Sequence, residues 1–163
     1  MLTKDTRCIL MIMANGFEEI EAITLLSTLR QAGLCVKSVT LTSGLVGGAH
    51  GVWLMPDLAL ADLDRLLKTT PISLVILPAG KQSLTSLKMD PRVHRLLRQV
   101  VAQGGQIAAI PDGLVILQAA DICPDTSTEV GPHQEGPILI RDPTTPPQTF
   151  AQVLIRRLMP LPR

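Results

Sequence analysis

The sequence predicts an α/β protein: a three-layer sandwich in which helices clad both faces of a mostly parallel sheet. Strand-length apolar runs alternate with longer helix-period segments along the whole chain. Those runs are near-continuous blocks of Ile, Leu, Val and Met rather than apolar-polar alternations, as strands buried on both faces require. Hydrophobic residues make up 46% of the 163, aromatic residues only 2%, and tyrosine is absent, so the core is aliphatic. That length suits one domain over residues 1–163, large enough to bury one substantial core.

The elements follow in order. Arg7–Met13 reads as the first strand, and Asn15-Gly16 as a turn. A helix is expected from about Phe17 to Ala32, with Ile20, Ile23, Leu26 and Leu29 as its apolar stripe and Gly33 just past its end. Leu34–Leu41 is a second strand. Glycines 44, 47 and 48 lead into an extended piece, His50–Met55, and Pro56-Asp57 opens a short Leu-rich helix carrying Leu58 to Leu67. Ser73–Leu77 is a compact strand ending at Pro78-Ala79-Gly80. Asp90-Pro91 places an N-cap before a proline at N1, starting a helix with Val93, Leu96, Leu97, Val100 and Val101 on one side. Gln106–Ile110 is a strand, Leu114–Ala120 a helix, and 121–135 a loop. Gly136–Arg141 is the last strand, and about Gln148–Leu158 the last helix. In open sheets of this kind ligands bind beyond the carboxyl ends of the strands, which here are Asn15–Glu21, Pro78–Lys81 and Ile110–Gly113.

Composition narrows the functional classes. A net charge of +1 and the scarcity of aromatics argue against a nucleic-acid surface. No apolar stretch is long enough for a membrane span, and Met1–Asp5 lacks a secretory n-region. Cys8, Cys35 and Cys123 are an odd set without metal-ligand spacing, which leads us to expect a reduced, cytoplasmic protein with no metal. No Gly-rich phosphate loop follows the first strand, so no nucleotide cofactor is expected. His50 and His94 show no partner spacing and read as surface or strand-edge residues, and Arg156-Arg157 as favourable charge at a helix end. The lone Trp53 suits either a buried anchor or an interface.

Several stretches together resemble the ThiJ/PfpI family, which includes a parkinsonism-associated deglycase and PfpI-type proteases. They are Asn15-Gly16-Phe17-Glu18-Glu19-Ile20-Glu21, continuing to Arg30-Gln31-Ala32-Gly33-Leu34-Cys35-Val36, then Pro56-Asp57 with Leu60-Ala61-Asp62. Leu74-Val75-Ile76-Leu77-Pro78-Ala79-Gly80, Gly105-Gln106-Ile107-Ala108-Ala109-Ile110 and Gly136 to Arg141 complete the match. The resemblance covers nearly the whole chain and implies a flavodoxin-like, class I glutamine amidotransferase-like sheet, shortened in the 121–135 region. It also implies a glutamate, matching Glu21, that tunes a cysteine at the elbow after the Gln106–Ile110 strand. Backbone N–H groups of the Pro-Gly-Gly turn and beyond the cysteine would bind an anion, and homodimers are common in the family.

This chain departs from that pattern. Pro111 stands where the resemblance puts the cysteine, and proline offers no nucleophile, fixes φ and removes the N–H. Cys8 and Cys35 fall in strands and Cys123 in another loop, so none replaces it. Ala79 stands for the first glycine of the turn, and the interval that carries the family's histidine is short, with His133 as a weak substitute. The remaining pocket comprises Glu21, Pro111 and Asp112, with Gly16, Ala79, Gly80 and Gly113 as further ligand-contacting positions. Asp112 has two readings: it shares a site with Glu21 as an acid/base pair, or it caps the following helix as turn chemistry, which is the plainer one. Glu18 and Glu19 are assigned to the helix start and solvent. The expected function is a non-catalytic protein-binding, structural or ligand-sensing module, acting as a homodimer or with a protein partner. The alternative is a reassigned lyase or hydrolase acting on a small carbonyl compound through Glu21 and Asp112.

Overall fold

The computed structural model describes residues 7–122 and 136–159. Its elements are β1 (Cys8–Met13), α1 (Glu19–Gln31), β2 (Val36–Thr40), β3 (Val46–Gly47), β4 (Trp53–Leu54) and β5 (Leu58–Ala59), followed by α2 (Leu63–Thr69) and β6 (Ile72–Leu77). They continue with α3 (Lys81–Met89), α4 (Pro91–Ala102), β7 (Gln106–Ala109), α5 (Leu114–Ala119), β8 (Ile138–Ile140) and α6 (Pro147–Leu158). Six strands form one sheet in the order β5-β2-β1-β6-β7-β8, and every pairing in it is parallel. This is the flavodoxin-like α/β architecture expected.

Side-chain alternation along the central strands divides the core into two layers. Leu10, Ile12, Val75, Leu77, Ile107 and Ile140 face α2, α3, α4 and α5. Ile9, Met11, Met13, Leu74, Ile76 and Leu139 face α1 and α6. All six β1 residues are buried, so the strand reads as an unbroken apolar run. In α4, Asp90 caps the helix by accepting from Arg92 N, Pro91 follows, and Val93, Leu96, Leu97 and Val100 are buried.

Six expectations need correction. A helix, α3, occupies Lys81–Met89, where none was expected; only Ser83, Leu84 and Leu87 of it are buried, and its N-cap is Gly80 with no side-chain cap. The buried stripe of α1 is Ala22, Leu25, Leu26 and Leu29, whereas Ile20 and Ile23 are 72% and 40% exposed. Leu58–Ala59 is an edge strand rather than helix, Cys35 is exposed just before β2, and the His50–Met55 piece contributes only Trp53–Leu54, paired antiparallel with β3. Arg157 is not simply helix-end charge: it donates to Gln106 Oε1 and Gly136 O, tying α6 to the start of β7. Among the described residues no helix is long and apolar enough to cross a membrane.

Candidate functional site

The C-terminal ends of β1, β6, β7 and β8 meet the start of α1, and their loops are hydrogen-bonded together. Ala14 N donates to the fully buried Ser83 Oγ at 2.9 Å, joining the end of β1 to α3. The Ala79 peptide is gripped from both sides by α1: its carbonyl accepts from Glu18 N at 2.8 Å, and its N–H donates to Glu21 Oε2 at 2.9 Å. Gly80 makes this possible. Its φ of +126° belongs to glycine, and a Cβ there would sit 2.8 Å from Phe17 Cα and 2.9 Å from Glu18 N. Gly16, at φ +83°, turns the chain from β1 into α1 and donates to Gly47 O.

Glu21 lies on the buried face of α1, one turn before Leu25, which carries its carboxylate inward. Its other oxygen, Oε1, is 3.3 Å from Arg141 Nε, and both side chains are at least nine-tenths buried. Arg141 Nε has no aligned hydrogen bond, so the contact is a buried ion pair. Burial pushes the Glu21 pKa up from the usual carboxylate value, opposed by the Ala79 N–H and the Arg141 guanidinium.

Sequence reasoning missed Arg141 as a site residue. Arg141 N extends the β7–β8 ladder by donating to Ala109 O at 2.8 Å, which fixes the residue one step beyond the apolar strand. Alternation then sends its side chain to the α1 face with Leu139, and its guanidinium NH1 donates to Thr145 O at 2.6 Å. An arginine directly after the apolar strand Ile138–Ile140, at the carboxyl edge, was the available signal.

Pro111 opens a single 3₁₀ turn, Pro111–Gly113, that leads from β7 into α5. Gly113 is packed close to Ala109, where an added Cβ would lie 3.0 Å from the Ala109 Cβ. Asp112 is exposed, whereas Glu21 is buried. Asp112 does not cap α5 with its side chain. His133 and Cys123 lie outside the described residues. Cys8 is at the amino end of β1, across the sheet from the site, and its Sγ donates to Cys35 O. Burial, with the adjacent Cys35, pushes its thiol up to about 12, far from a reactive thiolate.

A second cluster also went unread in the sequence. His50, expected to be unpartnered, places Nδ1 2.9 Å from Glu19 Oε2 and 3.8 Å from Glu18 Oε1. Glu19 is buried, not solvent-facing: its Oε1 accepts from the backbone N–H of His50 and Val52. Burial alone would raise its pKa, but the His50 ring and these N–H donors outweigh it and hold the pKa down to about 2. Glu18 takes the expected helix-start role, accepting from Glu21 N.

Comparison with known proteins gives relatives in sequence and in fold. The chain is 29% identical over 138 residues to the Parkinson disease protein 7 homolog of Danio rerio, covering 82% of this chain and 69% of that protein. It is 30% identical over 120 residues to the glutathione-independent glyoxalase DJR-1.2 of Caenorhabditis elegans, covering 74% of this chain and 62% of that protein. The crystal structure of Drosophila melanogaster DJ-1beta superimposes with a TM-score of 0.79 at 26% identity, over 94% of this chain and 90% of that one. Residues 7–133 match the DJ-1/PfpI family as a whole. With the six-stranded parallel sheet and the Glu21–Ala79 contact at its carboxyl edge, this match establishes that the chain belongs to the DJ-1/PfpI family.

Proposed function

We propose that this protein is a non-catalytic member of its family, acting as an interaction module through self-association or a protein partner. The observation that carries the reading is the state of Glu21. One oxygen is taken by the Ala79 N–H and the other by Arg141, while the turn beside it begins with Pro111. An acid that tunes a nucleophile needs a nucleophile to face and a proton to share. Here proline supplies no thiol, and the described cysteines, Cys8 and Cys35, lie at the opposite edge of the sheet. A relative's name, glyoxalase, describes that protein. The same chemistry in this chain would need a replacement for the missing thiol, and Asp112, the other carboxylate of the turn, is exposed while Glu21 is buried.

Exposed apolar side chains support the interaction half of the proposal. Ile20 and Ile23 share one face of α1 by their spacing and are exposed. Val52, Trp53 and Met55 are 44%, 65% and 68% exposed in the hairpin segment that Glu19 fastens to the first turn of α1. Apolar groups so placed are the kind of surface that a second chain covers. Sedimentation velocity on the full chain, with mass spectrometry of material purified from its native cells, tests this. A dimer or a defined complex, lost on Ile20→Glu, is expected; a strict monomer with no partner overturns it.

A further inference from the structure

We propose that Glu18 Oε1, Glu19 Oε2 and His50 Nδ1 bind a borderline divalent cation of the Zn²⁺ class, leaving a remaining coordination position open to solvent. The three ligand atoms lie within 4.8 Å of one another. Zinc bonds nitrogen and oxygen at about 2.0–2.2 Å, so tetrahedral ligands stand about 3.3 Å apart. The observed Nδ1 separations of 2.9 Å and 3.8 Å bracket that spacing, and rotamer-scale adjustment suffices to equalise them.

The supporting contacts are those a metal site requires around its ligands. Each carboxylate uses one oxygen for backbone N–H groups and turns the other toward His50. Glu19 Oε1 is held by His50 N and Val52 N, and Glu18 Oε2 by Glu21 N. Such outer contacts orient a ligating carboxylate and fix which lone pairs face the ion. The two chain segments are joined independently of any ion, since Phe17 bridges to Gly48 and Ala49 N donates to Phe17 O at 2.8 Å. Gly48 is itself part of the construction, because a Cβ there would collide with the Glu19 carboxylate.

Ligand chemistry selects the cation class. One imidazole with two carboxylates suits Zn²⁺, Co²⁺ or Ni²⁺ better than Mg²⁺ or Ca²⁺, which prefer all-oxygen shells. Three protein ligands are the pattern of an open site rather than a closed structural one. His50 is 72% exposed, which provides the entry path. The site uses none of Glu21, Arg141 or Pro111, although Glu19 also anchors the hairpin that carries the exposed apolar residues.

The test is titration of the untagged full chain with Zn²⁺ against a chromophoric chelator, and with Co²⁺ followed by its visible absorption. Wild type is expected to bind one ion per chain, with affinity at least about tenfold weaker in both His50→Gln and Glu18→Gln. His50→Gln keeps the backbone N–H that Glu19 accepts, so its fold is retained even if Glu19→Gln loosens the loop. Cys35→Ser should bind as wild type does. Absence of saturable binding, a stoichiometry of one ion per two chains, indifference to His50→Gln, or loss on Cys35→Ser would each overturn the assignment.

Discussion

Replacing Arg141 by methionine removes the only cation paired with Glu21 among the described residues while keeping most of the side chain's volume. Both partners are at least nine-tenths buried, and the replacement strands the Glu21 carboxylate with only the Ala79 N–H at 2.9 Å. It also frees the Thr145 carbonyl, which now accepts from Arg141 at 2.6 Å. Breaking one side of a buried ion pair costs about 3–5 kcal/mol. Burial already pushes the Glu21 pKa up, and losing Arg141 pushes it further, so protonation is the escape that keeps the cost near about 3 kcal/mol. For a chain of this size that is a fall of about 6–12 °C in Tm. Urea unfolding followed by circular dichroism, with thermal melts in parallel, measures it. The double variant Glu21→Gln/Arg141→Met retains an acceptor for Ala79 N and carries no charge, so it should recover about 1–2 kcal/mol relative to Arg141→Met. A single variant within about 0.5 kcal/mol of wild type, or strictly additive effects, would refute the buried-pair reasoning.

Two further predictions concern the frame of the site and the far end of α1. Gly80→Ala should cost at least about 3 kcal/mol, because strain at φ +126° adds to a collision with the backbone of Phe17 and Glu18; urea unfolding checks it, and a cost under about 1 kcal/mol contradicts the packing described. Asp57 accepts from Ser38 N, Ser38 Oγ and Arg30, and although burial opposes it, these donors hold its pKa below the usual carboxylate value. Its stabilisation is therefore fully present above the unfolded-state value of about 3.9 and is lost as pH falls through the lower folded value. The stability gap between wild type and Asp57→Asn should shrink as the urea midpoint is followed from pH 6 to pH 3, and a gap that widens would reverse the sign.

Much of the fold was legible because its strands are uninterrupted apolar blocks and its best helix carries its own start signal. Asp90-Pro91 and the Val93–Val100 spacing define α4 from local chemistry alone. Helix α3 was hidden for the opposite reason: KQSLTSLKM offers two buried leucines, no capping side chain, and a start set by the tertiary grip on Gly80 and Ala79. Apolar character misled at Ile20 and Ile23, which fit a helical stripe but lie outside the buried one. Glu21 was found through the resemblance, yet its partner Arg141 was not, because strand register at β8 rather than sequence spacing brings the two together. The Glu19–His50 contact spans 31 residues and depends on a backbone bridge between Phe17 and Gly48, which no local pattern announces. Asp112, a sensible turn-adjacent carboxylate, is exposed and does not cap α5.

We propose that the family scaffold here carries no working nucleophile beside Glu21. The most direct test follows methylglyoxal consumption by the untagged full chain over a range of protein concentrations, alongside Glu21→Gln. The expected time course matches protein-free buffer at every concentration and is the same for both proteins. A rate proportional to wild-type protein and abolished by Glu21→Gln would contradict it.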